Sequence, residues 1–476
     1  MNFDCAQLLP QAAALLLQNR RVIIAQDKIS AIEPCSGGRF FVMPPLSNAH
    51  DHARTVRMSS LGARGRPLES WLHYRTLLPA VSPYLATSVA LACAAMGGAG
   101  NVMVHYTRTQ GLTGLVDEAA EVARAADDVG VRVGFAVGMA DCNPLVYGPS
   151  DPALQPLSPN LRAVIEDRFL RPPLPVNEQI ALVDAIADAA GSSTFDVQYG
   201  PGGPHWASAG LLERIADASK RTARRVHMHL LETRYQRAWA DRTFPEGILK
   251  FLDRIGILND RLTLAHCTWA TDEELDLIAE RGVTIALNSS SNLHLRSGIA
   301  PLFNMVKRKC KVAMGIDVQA FDDDDDGIRE FRVIDLLHGA EGFITKVSRR
   351  EILAMACQNG VASVRNKEFE PIGVSASADL LLLDWNALND DRLRDDLDAI
   401  DLLFSRGAAR HIAYLVVGGR VVVRDGRAVG IDYDGMRQEL LARLQKNSYA
   451  DDLGRAAVAS LQQAVGAHFE PACIQC

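Results

Sequence analysis

Four stretches of the chain end an apolar run in an imidazole or a carboxylate. FFVMPPLSNAHDH closes on His50 and His52, and RRVHMHLLET carries His227, His229 and, three residues on, Glu232. LTLAHCTW closes on His266, and KVAMGID closes on Asp317. With 12 histidines in 476 residues, one HxH pair is unsurprising, but four strand-like runs with the same polar ending are not. Imidazole and carboxylate together suit zinc and, less selectively, ferrous iron, and no thiolate is implied. A divalent metal lowers the pKa of the water it binds towards ~7, making hydroxide available at neutral pH. Asp317 can then accept a proton, Glu232 can carry one to a substrate nitrogen, and His266 can orient the hydroxide or steady developing charge.

Such groups act together only if the fold brings them to one place. Side chains alternate along a strand, so His227 and His229 point the same way. Seven apolar strands can be read from NVMVHY to KVAMGID, separated by amphipathic runs such as LVDEAAEVARAADDVG that end in glycine. With the strand before NAHDHA there are eight. Eight βα units over roughly 300 residues fit an α/β fold of the TIM (β/α)8 barrel type, whose C-terminal strand ends converge on one face. The two chain ends differ. RRVIIAQDKISAIEP near the start, and ADLLLLD and IAYLVVGGRVVVRDGR near the finish, read as short strands joined by Gly and Asp turns. The expected organisation is a small β-sandwich domain made from residues 1–44 and 371–432, a barrel over 45–370, and a helical segment over 433–476.

Bulk properties exclude several function classes. The 50 basic and 57 acidic residues give a net charge of -7, with no electrostatic case for nucleic acid or an anionic membrane as partner. Nine scattered cysteines, paired as CxxC only at Cys473 and Cys476, argue against a disulfide framework and for a cytoplasmic location. The start of the chain lacks the basic region of a signal peptide, and no apolar run is long enough to span a bilayer. The expected partner is a small-molecule substrate.

The ordered motifs NAHDH, HMHLLET, HCTW, NSSSNLHLRSGIAP and GID, with PLESWL after the first, resemble the amidohydrolase superfamily. The branch is that of atrazine chlorohydrolase, adenosylhomocysteine deaminase and guanine or pterin deaminases. The resemblance implies one divalent metal, zinc or alternatively iron, held by His50, His52, His229 and Asp317. It makes Glu232 and His266 catalytic and Asp317 the base that activates water. His229 is preferred over His227 because Glu232 follows it at the family's spacing. Binuclear relatives carry a lysine after the fourth strand, which here reads FDVQYGPGGPHWAS, so one metal is expected. A homo-oligomer is a family habit.

This chain departs from that branch at three places. Gly202 stands where a substrate-binding histidine is usual, Ser289 where proline is usual, and Val318 where glycine is usual. The expected activity is deamination of a purine-, pterin-, triazine- or pyrimidine-type heterocycle. The alternatives are cleavage of an amide, urea or carbamate C–N bond, dechlorination, or a non-catalytic barrel scaffold. Trp71 and His205 are candidate substrate contacts, Trp71 as a stacking surface and His205, beside Trp206, as pocket wall. His105 faces the site or supports it. His73, His294, His338, His411 and His468 are read as structural or surface residues, and Cys142 and Cys267 as small buried side chains. The acidic run Asp322 to Asp326 is read as a solvated loop whose last member caps a helix, or as a contact for a cationic substrate.

Overall fold

The structure, a computed structural model, describes residues 1–53, 56–317, 324–394, 396–448 and 451–469. Four strands open the chain: β1 (Asn2–Leu8), β2 (Leu17–Ala25), β3 (Lys28–Pro34) and β4 (Phe40–Met43). Eight more follow at intervals: β5 (Leu46–Asn48), β6 (Ala99–Tyr106), β7 (Arg132–Met139), β8 (Phe195–Pro201), β9 (Val226–Leu230), β10 (Leu262–His266), β11 (Thr284–Leu287) and β12 (Lys311–Met314). These eight pair in parallel, each with its neighbour in sequence. The ring closes where Ala49 N donates to Met314 O at 2.8 Å and Asp51 bridges Asp317. It is the expected TIM barrel.

The barrel strands are almost wholly buried, as parallel strands covered by helices must be; all eight residues of β6 are buried. The covering helices carry the complementary stripe. In Leu115–Val129 the buried positions Ala119, Val122, Ala126 and Val129 recur every three or four residues. That helix stops at Gly130, whose φ of +95° a side chain would resist.

After a short hairpin, β13 (Ala340–Glu341) and β14 (Ile344–Thr345), the chain adds β15 (Leu380–Asp384), β16 (Ile412–Val417), β17 (Arg420–Arg424) and β18 (Arg427–Ala428). They join β1 to β4 in one sheet ordered β18-β17-β16-β15-β4-β1-β2-β3. Both chain ends thus build the expected small β domain, as a continuous sheet with its own apolar cluster around Phe3, Leu8, Val22, Leu380 and Val416. The helix Asp452–Phe469 packs Leu461 and Val465 against Leu154 and Ile165, which lie in the helices Asp151–Leu154 and Pro159–Phe169 that follow β7. Among the described residues no helix is long and apolar enough to cross a membrane.

Candidate metal centre

The strand ends expected to carry chemistry meet at the C-terminal mouth of the barrel. His50 follows β5, His229 lies in β9, His266 ends β10, and Asp317 follows β12. Asp317 Oδ1 lies 3.5 Å from His50 Nε2 and 3.3 Å from His52 Nε2, and His52 Nε2 lies 3.3 Å from His229 Nε2. Ligands bonded tetrahedrally to a metal at ~2.1 Å stand about 3.4 Å from one another, so these separations fit a single ion between the four side chains.

The outer edges of the imidazoles make the same case. His52 Nδ1 donates to His105 O at 2.7 Å, and His229 Nδ1 donates to Gly202 O at 2.6 Å. With protons on Nδ1, both Nε2 atoms turn lone pairs toward each other, an arrangement that repels unless a cation lies between. His50 is held the same way, its Nδ1 2.7 Å from His227 Nε2, while its buried Nε2 has no hydrogen-bond partner. Burial holds His229 well below the ordinary imidazole pKa, keeping it a neutral ligand. Burial alone would raise the pKa of Asp317, but the imidazoles of His50 and His52 outweigh it and hold the carboxyl well below its usual range. Three imidazoles and one carboxylate are a donor set that zinc or iron accepts.

The local backbone is shaped for this arrangement. Asp51 turns from the centre: its carboxylate takes Asn48 Nδ2 at 2.8 Å and the amides of His52 and Ala53 at 2.7 and 2.8 Å. His50 O accepts the amides of Ile316 and Asp317, tying the first strand end to the last. His266 and Asp317 adopt φ of +75° and +63°, a left-handed conformation that a β-carbon disfavours. The strain sits in the residues that end the strands, where chemistry is expected. Gly315 is required just before Asp317, because a β-carbon there would stand 2.1 Å from Asn288 Oδ1.

Glu232 and His266 face the same centre. His266 Nε2 lies 3.6 Å from Glu232 Oε2 and 3.9 Å from Asp317 Oδ2, too far for direct hydrogen bonds. Burial lowers the His266 pKa to about 4, so the ring is neutral. Its Nδ1 donates to Asn292 Oδ1 at 2.8 Å, which leaves Nε2 unprotonated, an acceptor for a donor lying between it and the two carboxylates. Ser297 Oγ donates to Glu232 Oε1 at 3.3 Å, and Ser291 Oγ donates to Asp317 Oδ2 at 2.5 Å. These serines and Asn292 lie in NSSSNLHLRSGIAP, a motif that carries the family resemblance, but nothing in its spacing assigns them to Asp317, Glu232 or His266.

A cavity of ≈ 560 Å³ opens over the centre, with His52, His229, Glu232 and Asp317 in its lining. Trp71 lines it too, buried among Met58, Leu68 and Leu295. His205 is buried behind the wall against Trp206, with ring centroids 4.1 Å apart, and it is Trp206 that meets the cavity. His105 stacks on His52 and His229 while its Nε2 donates to Gly200 O. Asp326 caps the helix Gly327–His338 by accepting the Arg329 amide. Val318, Asp322, Asp323, Cys473 and Cys476 lie outside the described residues.

Known proteins resemble this chain in sequence and fold. The chain is 25% identical over 430 residues to the 5'-deoxyadenosine deaminase of Methanosarcina barkeri, covering 87% of this chain and 90% of that one. It is 25% identical over 388 residues to the 5-methylthioadenosine/S-adenosylhomocysteine deaminase of Thermococcus sibiricus, covering 80% and 82%. Among solved structures, an adenosine deaminase from Xanthomonas campestris with bound Zn matches with a TM-score of 0.73 at 21% identity, covering 94% of this chain and 98% of that one. A mutant atrazine chlorohydrolase from Arthrobacter aurescens, complexed with zinc and atraton, matches at 0.76 and 20%, covering 93% and 99%. The amidohydrolase family model matches residues 41–422, spanning the whole barrel and every strand end described above. The chain belongs to the amidohydrolase family.

Proposed function

We propose that the protein is a metal-dependent aminohydrolase that deaminates a nitrogen heterocycle. The observation that carries this reading is the pairing of Glu232 with His266 across the centre, their side-chain atoms 3.6 Å apart beside Asp317. Amine leaves a carbon poorly, so its departure needs a proton delivered on one side and removed on the other. His50, His52, His229 and Asp317 would hold one divalent ion, zinc in preference to iron. When bound, such an ion supplies Lewis-acid activation of water and of the bond under attack.

The chain's own residues do the rest. Asp317 stays ionised at neutral pH and can take a proton from the attacking water. His266 Nε2, fixed as an acceptor by the Asn292 contact, orients that water by accepting its hydrogen bond. Of the two roles open to His266 this favours orientation over charge stabilisation. Glu232, steadied by Ser297, reaches toward the substrate and relays that proton to the ring nitrogen; the water's second proton, released as the new hydroxyl becomes a carbonyl, passes to the amine, which leaves as ammonia.

Protein purified with zinc should contain about one metal equivalent and release ammonia from at least one of a panel of aminopurines, pterins, aminotriazines and aminopyrimidines. Metal retention without any ammonia would sink the deaminase reading. The altered loop at Gly202, which lines the cavity, favours a second reading in which another group leaves from carbon. Mass spectrometry separates the two: exchange of NH3 for oxygen in the first, loss of a larger fragment or of chloride in the second.

A further inference from the structure

The wall of the cavity differs from its floor in charge. Four arginines line it, Arg75, Arg108, Arg168 and Arg171, while the lining carboxylates are Glu232 and Asp317 at the floor. Two of the arginines are neutralised: Arg168 grips Asp451 through two bonds of 2.8 and 2.9 Å, and Arg171 reaches Asp167 at 3.3 Å. Arg108 is not. Its guanidinium donates to Leu78 O at 2.6 Å, to Gln110 Oε1 at 3.2 Å and to Pro79 O at 3.4 Å. Among the described residues no carboxylate lies within ion-pair distance of it. Glu118, the acid that acts on Arg108 through space, is already committed to the amides of Gln110 and Gly111 and to the Tyr106 hydroxyl.

A guanidinium keeps its charge in any protein environment, so half-burying one beside neutral acceptors is costly unless an anion completes it. Its anchors fix the side chain in place, so little freedom is lost on binding. The wall also connects to the floor. Arg75 Nη2 donates to Thr107 O at 3.1 Å, and Thr107 Oγ1 lies 3.1 Å from His52 Nδ1. A ring reacting at Glu232 would therefore extend its substituent along Thr107 toward Arg75 and Arg108. The cavity volume accommodates a bicyclic ring together with such a substituent.

We infer that the substrate carries an anionic oxygen group, a carboxylate or a phosphate, and that Arg108 binds it with Arg75 alongside. The identity of the ring rests on the deaminase reading, whereas the anion contact does not. The guanidinium fork matches either group through paired N–H···O bonds.

Calorimetric titration of the zinc-loaded protein with two matched pairs tests this: pterin against pterin-6-carboxylate, and adenosine against adenosine 5'-monophosphate. At least one anionic member is expected to bind tenfold or more tightly than its neutral parent. In Arg108→Gln that preference should fall at least tenfold, and Arg108→Lys should restore part of it. If Arg108→Gln does not fold, as judged by circular dichroism, the wild-type preference should still shrink as salt is raised from 20 to 500 mM. The proposal is overturned if neither anionic member outbinds its parent, or if the preference survives Arg108→Gln or added salt. Tighter anion binding without ammonia release would keep the anion site and rule out these purine and pterin rings as the ring deaminated.

Discussion

His50 and His52 lie beyond the last residue of β5, whereas His227 and His229 both lie inside β9. The two HxH pairs have the same spacing and point to the same mouth of the barrel. Past the end of a strand the backbone can turn, and Asp51 fastens that turn by accepting the amides of His52 and Ala53. Both imidazoles of the first pair therefore present Nε2 to the centre. Within β9 the pleat holds its residues in line, and two positions along a strand differ by roughly 6.6 Å in height. His229 reaches the centre; His227 sits one layer deeper and bonds to the back of His50. The same three-residue pattern supplies two candidate ligands in one place, and one candidate ligand plus its support in the other.

Breaking that comparison at its strongest point gives the largest expected effect. His52→Ala and His229→Ala should each lose the metal, measured by plasma mass spectrometry, and ammonia release should drop to background. A variant that kept one metal equivalent and full turnover would overturn the assignment. Glu232→Gln should separate the two properties, keeping the metal while turnover falls by about 10²- to 10⁴-fold, the usual range for removing a proton carrier. Loss of metal in that variant would instead make Glu232 a ligand.

The difference between these roles was only partly legible in the sequence. Strand ends could be read because an apolar run stops at a polar group, and His229 stood out from His227 because Glu232 follows it. The support around them could not be read. Asn292 lies 26 residues from His266, and Ser291 lies 26 from Asp317, in a short helix after β11 with no periodic signal. His205 and Trp206 show the limit at one residue: on a loop, without the alternation of a strand, nothing in the sequence says which neighbour faces the cavity. The arginine wall was invisible for the same reason, since Arg75 and Arg108 come together only when the helix after PLESWL folds against the end of β6.

A smaller effect is expected where the comparison is finest. His227→Leu removes the acceptor behind His50 but no holder of the metal. Its zinc affinity, measured by chelator competition, should weaken by roughly 10- to 100-fold, as for other groups that orient a metal-binding histidine. His227→Gln, which offers an acceptor again, should recover part of that loss. If His227→Leu lost metal as completely as His229→Ala, the two histidines would be equivalent and the contrast between the pairs would disappear.

The last effect falls on stability and not on the metal, and comes from a histidine that is buried but belongs to neither pair. His73 lies in the cavity wall with its ring against Phe169, and burial lowers its pKa from 6.5 to about 4. The unfolded chain takes up a proton near pH 6.5, and the folded chain only near pH 4. Between those values the unfolded state binds more protons, so stability must fall as the pH falls, and below about pH 4 the loss stops growing. At roughly 1.4 kcal/mol per unit, the full effect is about 3 kcal/mol. Replacing His73 by Phe removes the titration while keeping a ring against Phe169. Urea unfolding of the metal-free chain at pH 7 and pH 4.5 should therefore show the wild type losing more stability than His73→Phe over that interval. Equal losses would mean that His73 is already protonated in the fold, and that burial alone is not enough to keep an imidazole in this barrel neutral. The neutrality of His229 and His266 would then have to come from their own hydrogen bonds, to Gly202 O and Asn292 Oδ1.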